Sequence, residues 1–415
     1  PAQLLPIVCT TTDWSMRMRS FSALHIDSRN IFCRTILGLC ARDHGHPYMY
    51  ERLNQALSAY DRRDGSWEQL VHGAEHHGIS PLLYKPLTHL GFNLPDGHHR
   101  ILRSLCQRCR LSNQIRNSAI AELIGCYQQE KIDHLLVKGI ALANCVYSDP
   151  DLRPMRDIDL LVRRNDLEKA ENILLELGYH QKQNHEIPEG YYHLPPLEKT
   201  IEGLPVTIEL HHNLLPLDPS YPRWPLEKSF DSVQPITIKG IETATLNLED
   251  NLYYLYLHGF CSPLTYEEFR FIHVADIVSL TEKFYQQIDW HRVHLQFRRM
   301  PAILSRFHFI TPWQEKIISG LKLDLNSAPS RPGIGYRGWP LHKITKGSLK
   351  GLLLLIYETL YPSQWWTQIY YGHISGMNYL KVRLFLHPRA IWRWIKALIR
   401  HRLKQSSSTQ HRLKK

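Results

Sequence analysis

Three acidic side chains on two predicted strands have the residue types and the spacing needed to bind a cation. Asp157 and Asp159 alternate with Ile158 and Leu160 in DIDLLV, so in a strand both carboxylates project from one face and the apolar side chains from the other. Glu209 alternates in the same way in PVTIELHHNL. Carboxylates this close repel each other unless a cation or nearby arginines compensate. Because oxygen ligands suit Mg²⁺ or Mn²⁺, these three residues predict a divalent-metal site.

Basic and imidazole side chains lie close to these carboxylates in the sequence. Lys138 and Gly139 end the apolar run HLLVKG, where lysine could contact a phosphate and glycine would let the backbone approach it. Arg153 and Arg156 precede the acidic strand and could balance its charge. His211 shares the face of Glu209 and could contact a phosphate or an acceptor group. A solvent-facing lysine and a polar histidine at a strand end are the alternatives for Lys138 and His211.

Four motifs in a fixed order are more specific together than any one of them: VKGIALANCVY, DLRPMRDIDLLV, a helix ending in LELGY, and IELHHNL. Together they resemble the uncharacterised nucleotidyltransferase family within the DNA polymerase β-like superfamily. The resemblance continues through LYLHGF, FRFIHVADIVSL and IDWHRV, and it covers roughly residues 30 to 300. It implies an α+β fold, in which a mixed-sheet nucleotidyltransferase core is flanked by N- and C-terminal helical regions.

The resemblance also implies roles for individual residues. Asp157 and Asp159 would be the catalytic metal-binding pair and Glu209 the third carboxylate. Nucleotide phosphates would be held at Lys138–Gly139, which stands where the wider superfamily has a Gly-Ser turn, and by Arg153 and Arg156. The missing serine and the long interval to Asp157 depart from the superfamily pattern.

Changes of pattern divide the chain into seven stretches. They are residues 1–24, expected to be disordered; a helical region, 25–112; the nucleotidyltransferase core, 113–245; a helical domain, 246–325; a Pro/Gly-rich loop, 326–345; a basic amphipathic helical region, 346–404; and a disordered basic tail, 405–415. Within the core, Asn165 and Glu168 are predicted to cap a helix, and Glu202–Gly203 to join two strands.

The net charge of +11 and the pI of about 9.2 favour polyanionic partners, and much of the excess lies after residue 330. The basic stretch from Tyr379 predicts a terminal helix docked on the protein, a contact with an anionic membrane surface, or a contact with nucleic acid. No segment has the length and apolarity of a transmembrane helix or a secretory signal. We therefore expect a cytoplasmic protein that could also lie peripherally at the inner face of the membrane.

Eight cysteines without a framework spacing predict reduced thiols. Cys106 and Cys109 have the CxxC spacing of a zinc site, but two buried thiols on one helix are favoured. The histidines of HGAEHHG are predicted to be solvated or to pack rather than to bind metal. His258, Arg270 and Asp276 are predicted to form a polar network between helices, with a position over the site as the alternative.

These residues favour a metal-dependent enzyme that transfers a nucleoside monophosphate from a nucleoside triphosphate, ATP among the candidates, to a hydroxyl of unknown identity. One alternative is a non-catalytic nucleotide-binding or regulatory module with the same fold. Another is a toxin-like nucleotidyltransferase that modifies RNA. A fold does not determine a substrate, so the acceptor is left open.

Overall fold

The computed structural model describes residues 31–61, 66–181, 191–216, 224–260, 270–325, 360–361, 364–371, 377–393 and 395–396. Three predictions lie outside these residues: the disorder of 1–24, the loop 326–345, and the tail 405–415.

Within these residues, seven strands form one mixed sheet in the order β3-β4-β5-β2-β1-β7-β6. β2 is parallel to β5 and β1 is parallel to β7, while the other neighbouring strands are antiparallel. The strands are β1 (His134–Val137), β2 (Asp157–Val162), β3 (His180–Gln181), β4 (Leu197–Ile201), β5 (Leu204–His211), β6 (Val233–Ile238) and β7 (Ile241–Leu246). Together with the helices, this mixed sheet confirms the predicted α+β class.

Helices precede, interrupt and follow the sheet. The described helices are α1 (Ile31–Leu39), α2 (Pro47–Asp61), α3 (Trp67–His76), α4 (Ser80–His89), α5 (Asp96–Gln129), α6 (Lys138–Cys145), α7 (Leu167–Glu176), α8 (Leu226–Asp231), α9 (Leu248–Phe260), α10 (Phe271–Phe284), α11 (Trp290–Gln296), α12 (Met300–Phe307), α13 (Glu315–Leu321), α14 (Gln364–Tyr371) and α15 (Met377–Lys381). A π-helical turn, Val382–Leu386, continues α15. In the part of the chain that the structure describes, no helix combines the length and apolarity needed to cross a bilayer.

The two faces of the sheet belong to different hydrophobic clusters. One cluster packs α5, α6 and α7 against Ile158, Leu160 and the apolar side chains of β5. The other joins Val137 and Leu161, which project from the opposite face, to the helices before and after the sheet. The acidic side chains of β2 and β5 project from this second face, so the helices cover the region where the predicted site lies.

The long helix α5 holds the loop that leads into β2. Its Asn113 side chain donates to the carbonyl oxygens of Pro150 and Arg153, at 2.8 and 3.0 Å. One turn further on, Arg116 donates to the carbonyl oxygen of Arg156 at 3.2 Å. Because backbone groups of the loop are bound at several points, the start of β2 is anchored on a rigid helix.

Both hairpins of the sheet turn through two residues with positive φ. Glu202 (49°) and Gly203 (78°) join β4 to β5 as predicted, and Lys239 (50°) and Gly240 (80°) join β6 to β7. The second hairpin was missed. The alternating runs VQPITI and IETATL on either side of Lys239–Gly240 are the signal that would have found it.

The predicted capping box of α7 is wrong. Asn165 lies inside a 3₁₀ turn, Arg164–Asp166, and α7 begins only at Leu167, so the side chain of Asn165 stands too early to cap it. Asp166 occupies the N-cap and makes no side-chain capping bond.

The CxxC pair consists of free thiols on α5, of which Cys109 is buried and Cys106 is only half-buried. Burial raises the pKa of both Cys106 and Cys109 to about 12, so both thiols are protonated at neutral pH. The division into domains stays a prediction, although helices on both sides of the sheet share one hydrophobic cluster.

Candidate functional site

Strand register brings Asp159, Glu209 and Lys138 together. β2 and β5 run parallel with Asp159 directly beside Glu209 and Leu161 beside His211. β1 runs antiparallel on the other side of β2 with Val137 opposite Asp159, so Lys138 leaves the end of β1 next to that carboxylate. The pleat places the side chains of Asp159, Glu209 and His211 on one face, which explains why residues about 50 positions apart in sequence meet.

Asp159 Oδ1 is the centre of the contacts. Lys138 Nζ lies 2.6 Å from it and His211 Nε2 lies 2.9 Å from it. His211 Nε2 also lies 3.5 Å from Glu209 Oε2. One ligand atom from each of Asp159, Glu209 and His211 falls within 4.8 Å of the others, and among the described residues no other group of three such side chains does so.

Asp157 begins β2 on the same face as Asp159, beside Thr207 of β5. It is partly exposed and is not a member of that compact group of three. Burial first, and then the neighbouring Asp159, raise the pKa of Asp157 to about 6. Asp157 is therefore the carboxylate whose charge the protein compensates least.

The ionised forms of Asp159 and Lys138 stabilise each other. Burial alone would raise the pKa of Asp159, but Lys138 and then His211 hold it well below its usual range. Burial would likewise lower the pKa of Lys138, but Asp159, with smaller effects from Tyr254, Tyr192 and Glu209, holds it well above its usual range. A buried carboxylate and a buried ammonium are thus both charged at neutral pH.

The tautomer of His211 follows from its surroundings. This fully buried imidazole directs Nε2 at two carboxylates, whereas its Nδ1 has no hydrogen-bond partner in the described structure. A proton on Nδ1 would be a buried donor without an acceptor, so the proton is assigned to Nε2, which donates to Asp159 and lies 3.5 Å from Glu209 Oε2. Histidines that bind a metal usually donate their second N–H to an acceptor, and His211 has none on that side. It fits better as an orienting donor than as a metal ligand.

The Lys138–Gly139 turn is conformationally special at both residues. Lys138 has φ +54°, a left-handed conformation that costs a non-glycine residue about 1 kcal/mol or more. A Cβ on Gly139 would lie 3.0 Å from Arg153 Nη1 and 3.1 Å from Met155 Cβ, so only glycine fits there without a shift. The strain at Lys138 places its ammonium on Asp159, and Gly139 lets the loop before β2 pack onto α6.

The two arginines of the predicted site have different surroundings. Arg153 is mostly buried and its guanidinium donates to Asp276 of α10, from Nε at 3.1 Å and from Nη2 at 2.7 Å. Tyr147 donates to the same carboxylate at 2.7 Å. Arg156 is exposed, and among its described contacts its carbonyl accepts from Arg116. Asp276 thus belongs to a buried polar network, whose partners lie on the loop between α6 and β2 rather than on another helix.

Two aromatic side chains and one histidine near the carboxylates were missed. Tyr192 packs beside His211 with ring centroids 5.5 Å apart, and Tyr254 of α9 is close enough to affect the pKa of Lys138. His193 Nε2 lies 4.0 Å from Glu209 Oε2. Tyrosines and histidines in apolar runs resemble ordinary core residues, so spacing alone gave no signal for them.

Residues 63–307 match the model of a family described as an uncharacterised nucleotidyltransferase, which is more than half of the chain. The chain belongs to this nucleotidyltransferase family. No curated protein matches it. Among solved structures it is similar to an antigenic nucleotidyltransferase-like protein from Paracoccidioides brasiliensis, with 15% identity, a TM-score of 0.32, and coverage of 50% of this chain and 97% of the other. At that TM-score the similarity carries no assignment of residues.

The donor set of this nucleotidyltransferase fits a divalent cation. Asp159 and Glu209 direct carboxylate oxygens to one place, and Asp157 adds a further carboxylate on the same face. Oxygen donors suit Mg²⁺ and Mn²⁺, and a single imidazole would not change that preference. The low pKa of Asp159 keeps it ionised and ready to bind a cation. Asp159, Glu209 and His211 could therefore hold a metal ion, whereas the predicted ligand Asp157 lies outside this group of three.

Proposed function

We propose that this chain is a metal-dependent enzyme that transfers a nucleoside monophosphate from a nucleoside triphosphate to an acceptor hydroxyl. The observation that supports this most is the side-by-side placement of Asp159 and Glu209 on parallel strands, in a member of a nucleotidyltransferase family. In the reaction, the acceptor oxygen bonds to the α-phosphorus while the bond to pyrophosphate breaks. Such a transfer concentrates negative charge, so catalysis needs cations held by fixed carboxylates.

Asp157, Asp159 and Glu209 would hold Mg²⁺ or Mn²⁺, and the cation would supply positive charge to the phosphoryl oxygens and the leaving pyrophosphate. Glu209 lies at the edge of the cluster, is only partly buried, and would accept the proton of the acceptor hydroxyl. His211 would keep Asp159 oriented by donating to it from Nε2, and the same nitrogen lies close to Glu209.

Lys138 would contact the triphosphate in addition to pairing with Asp159. Its ammonium lies at the start of α6, where the backbone amides of a helix N-terminus also favour a phosphate. Gly139 is covered by Arg153 and Met155, so it would serve the nucleotide site by shaping this turn, and the exposed Arg156 would reach the phosphate from the loop before β2. Arg153 would act mainly by holding the loop before β2 in place, because Asp276 already binds its guanidinium.

The test is incorporation of label from each α-³²P nucleoside triphosphate into lysate acceptors, with Mg²⁺ or Mn²⁺ and the full chain. We expect label with the wild type and a loss of about 100-fold or more in Asp159→Asn and in Glu209→Gln. Glu176→Gln, an exposed carboxylate on α7, is the matched control and should behave as the wild type. The labelled product would identify the acceptor class.

No label from any nucleotide, together with nucleotide binding that persists, would overturn catalysis and leave the non-catalytic module. The role of His211 is tested in the same assay. His211→Gln keeps an amide donor and should retain more activity than His211→Ala. Equal loss in both variants, with loss of bound metal in each, would instead make the imidazole a direct ligand.

A further inference from the structure

The outer face of the last described helical segment combines exposed apolar side chains with basic ones. Eight of the fourteen exposed large hydrophobic residues in the described structure lie within residues 360–396. Six of them belong to the segment 377–396, and each keeps 40–64% of its accessible area: Leu380, Leu384, Phe385, Leu386, Trp392 and Ile395. They lie on both sides of the π-helical turn Val382–Leu386, and their common property is exposure to solvent. We call these six residues the apolar outer face.

The opposite face of the same segment is docked on the protein. Val382, His387 and Ala390 are buried, and the His387 ring lies 2.9 Å from the Tyr371 hydroxyl of α14. α14 is itself bound to the body, because Tyr256 donates to the Ile369 carbonyl at 2.9 Å and Arg299 donates to the Tyr370 carbonyl at 2.7 Å. The apolar outer face is therefore presented by an anchored helix rather than by a detached one.

The positive charge around the apolar outer face indicates an anionic binding partner. Residues 359–415 contain eleven Lys and Arg and no Asp or Glu, so this stretch alone equals the net charge of +11 and the residues before it are balanced. Lys381, Arg389, Arg393 and Lys396 lie on the helix itself and are exposed. Lys396 extends over the ring of Trp392, with its ammonium 5.2 Å from the ring centroid. Long basic side chains beside a tryptophan suit the boundary between lipid headgroups and acyl chains.

We propose that this face binds peripherally to a bilayer with anionic headgroups, the apolar outer face entering the upper acyl region and the basic residues contacting phosphates. Nucleic acid fits less well, because leucines at three of the six positions can neither pair with phosphates nor stack on bases as aromatic rings do. The proposal does not depend on catalysis at Asp159. It would place the nucleotidyltransferase at a membrane surface, where its acceptor would be presented.

The test is flotation of the full chain with phosphatidylcholine vesicles that contain or lack phosphatidylglycerol. We expect binding to the anionic vesicles that weakens with salt and roughly fivefold for each of Arg389→Gln, Arg393→Gln and Lys396→Gln. The triple variant Leu384→Ser, Phe385→Ser, Trp392→Ser should bind at least about tenfold more weakly. The matched control replaces exposed Leu111, Leu175 and Leu295 with serine and should bind as the wild type.

A second readout does not depend on the triple variant. Lipids brominated in the upper acyl chain should quench the fluorescence of the wild type, and Trp392→Phe should remove part of that quenching. Failure to float with either vesicle would overturn the proposal, as would flotation that the triple variant retains. Binding of single-stranded RNA without binding of vesicles would assign the face to nucleic acid instead.

Discussion

Two carboxylates on one strand, Asp157 and Asp159, have opposite pKa shifts. Asp159 lies against Lys138 and His211, which keep its pKa low, whereas burial and Asp159 itself raise the pKa of Asp157 to about 6. The sequence predicted that two carboxylates this close need compensation, and it named Arg153 and Arg156 as the source. In the structure the ammonium of Lys138 makes the direct contact, since the turn after β1 lies beside Asp159.

Because ionised Asp157 is poorly compensated, we expect Asp157→Asn to stabilise the fold while it impairs metal-dependent activity. The folded pKa is raised above the unfolded value of 3.8, so ionisation of Asp157 opposes folding. The gain in the free energy of unfolding should reach up to about 2–3 kcal/mol above pH 6 and vanish below about pH 4. Urea unfolding of both proteins across this pH range measures it.

The same raised pKa predicts the acidic limit of activity. As pH falls through about 6, a proton occupies Asp157 and competes with a metal there. In the stability measurement, Asp159→Asn is the contrasting variant, because it leaves Lys138 buried without its carboxylate partner and should destabilise the fold.

Equal stability of Asp157→Asn and the wild type at every pH would contradict the cost assigned to the buried charge of Asp157.

At this scale the types of the site residues were predictable and their partners were not. Alternation in DIDLLV placed Asp157 with Asp159, and alternation in TIELHH placed Glu209 with His211, each pair on one face of its own strand, because strand side chains alternate whatever the fold. Which cation meets which carboxylate depends on register between strands far apart in sequence. That register comes from the packing of the whole sheet, so local pattern cannot supply it.

The elements around the site are held together by buried polar contacts. Arg153, in the loop before β2, donates twice to Asp276 of α10, and Tyr147 donates to the same carboxylate. Both charged side chains are almost fully buried, with 11% and 1% of their area exposed. Gly139 of α6 packs against Arg153, so this ion pair links the acidic strand, the Lys138 turn and the covering helices.

We expect Arg153→Met to cost about 3–5 kcal/mol of unfolding free energy, because it leaves Asp276 buried without its cation. Asp276→Leu in the same background removes the stranded charge and should recover much of the loss, so the double-mutant cycle gives a large coupling energy. Activity should fall with stability in Arg153→Met. It should recover in the double variant if Arg153 acts through position, and stay low if Arg153 binds phosphate.

The elements themselves were largely predictable. The helices around Leu248–Phe260 and Trp290–Gln296, the strands β1, β2, β4 and β5, and the turn at Glu202–Gly203 follow from apolar periodicity and turn chemistry. The hairpin of β6 and β7 was missed, although Lys239–Gly240 is a two-residue turn of the same kind. Its place beside β1 could not be derived, because a parallel pairing with β7 reflects the order of the whole sheet.

On the scale of the molecule, helices from before and after the sheet form one hydrophobic cluster. Residues of α1 and α2 belong to it together with residues of α9, α10 and α12. The sequence predicted helical regions on both sides of the core, but periodicity shows only that a helix has an apolar face and not which face it meets. The family match, which runs from 63 to 307, spans both regions.

A buried ion pair joins these distant helical regions. Arg42, just after α1, pairs with Glu282 of α10 and also donates to Thr311 and to the carbonyl of Pro312. Burial, opposed by Arg42, raises the pKa of Glu282 to about 7. The folded pKa exceeds the usual 4.5, so the stability this group contributes is present at low pH and is lost as pH rises through 7.

Arg42→Met should therefore destabilise the protein more at high pH than at low pH. At about pH 8.5 the variant must bury an unpaired carboxylate or keep it protonated, and we expect a loss of about 3–5 kcal/mol; at about pH 5 Glu282 is protonated in both proteins and the loss should be smaller. Denaturant unfolding at the two pH values measures this. Arg108→Met, which breaks the exposed pair with Glu75, is the control and should change stability by less than about 1 kcal/mol. A loss in Arg42→Met that does not vary with pH would mean that Arg42 stabilises the helical regions through Thr311 and Pro312 rather than through the charge of Glu282.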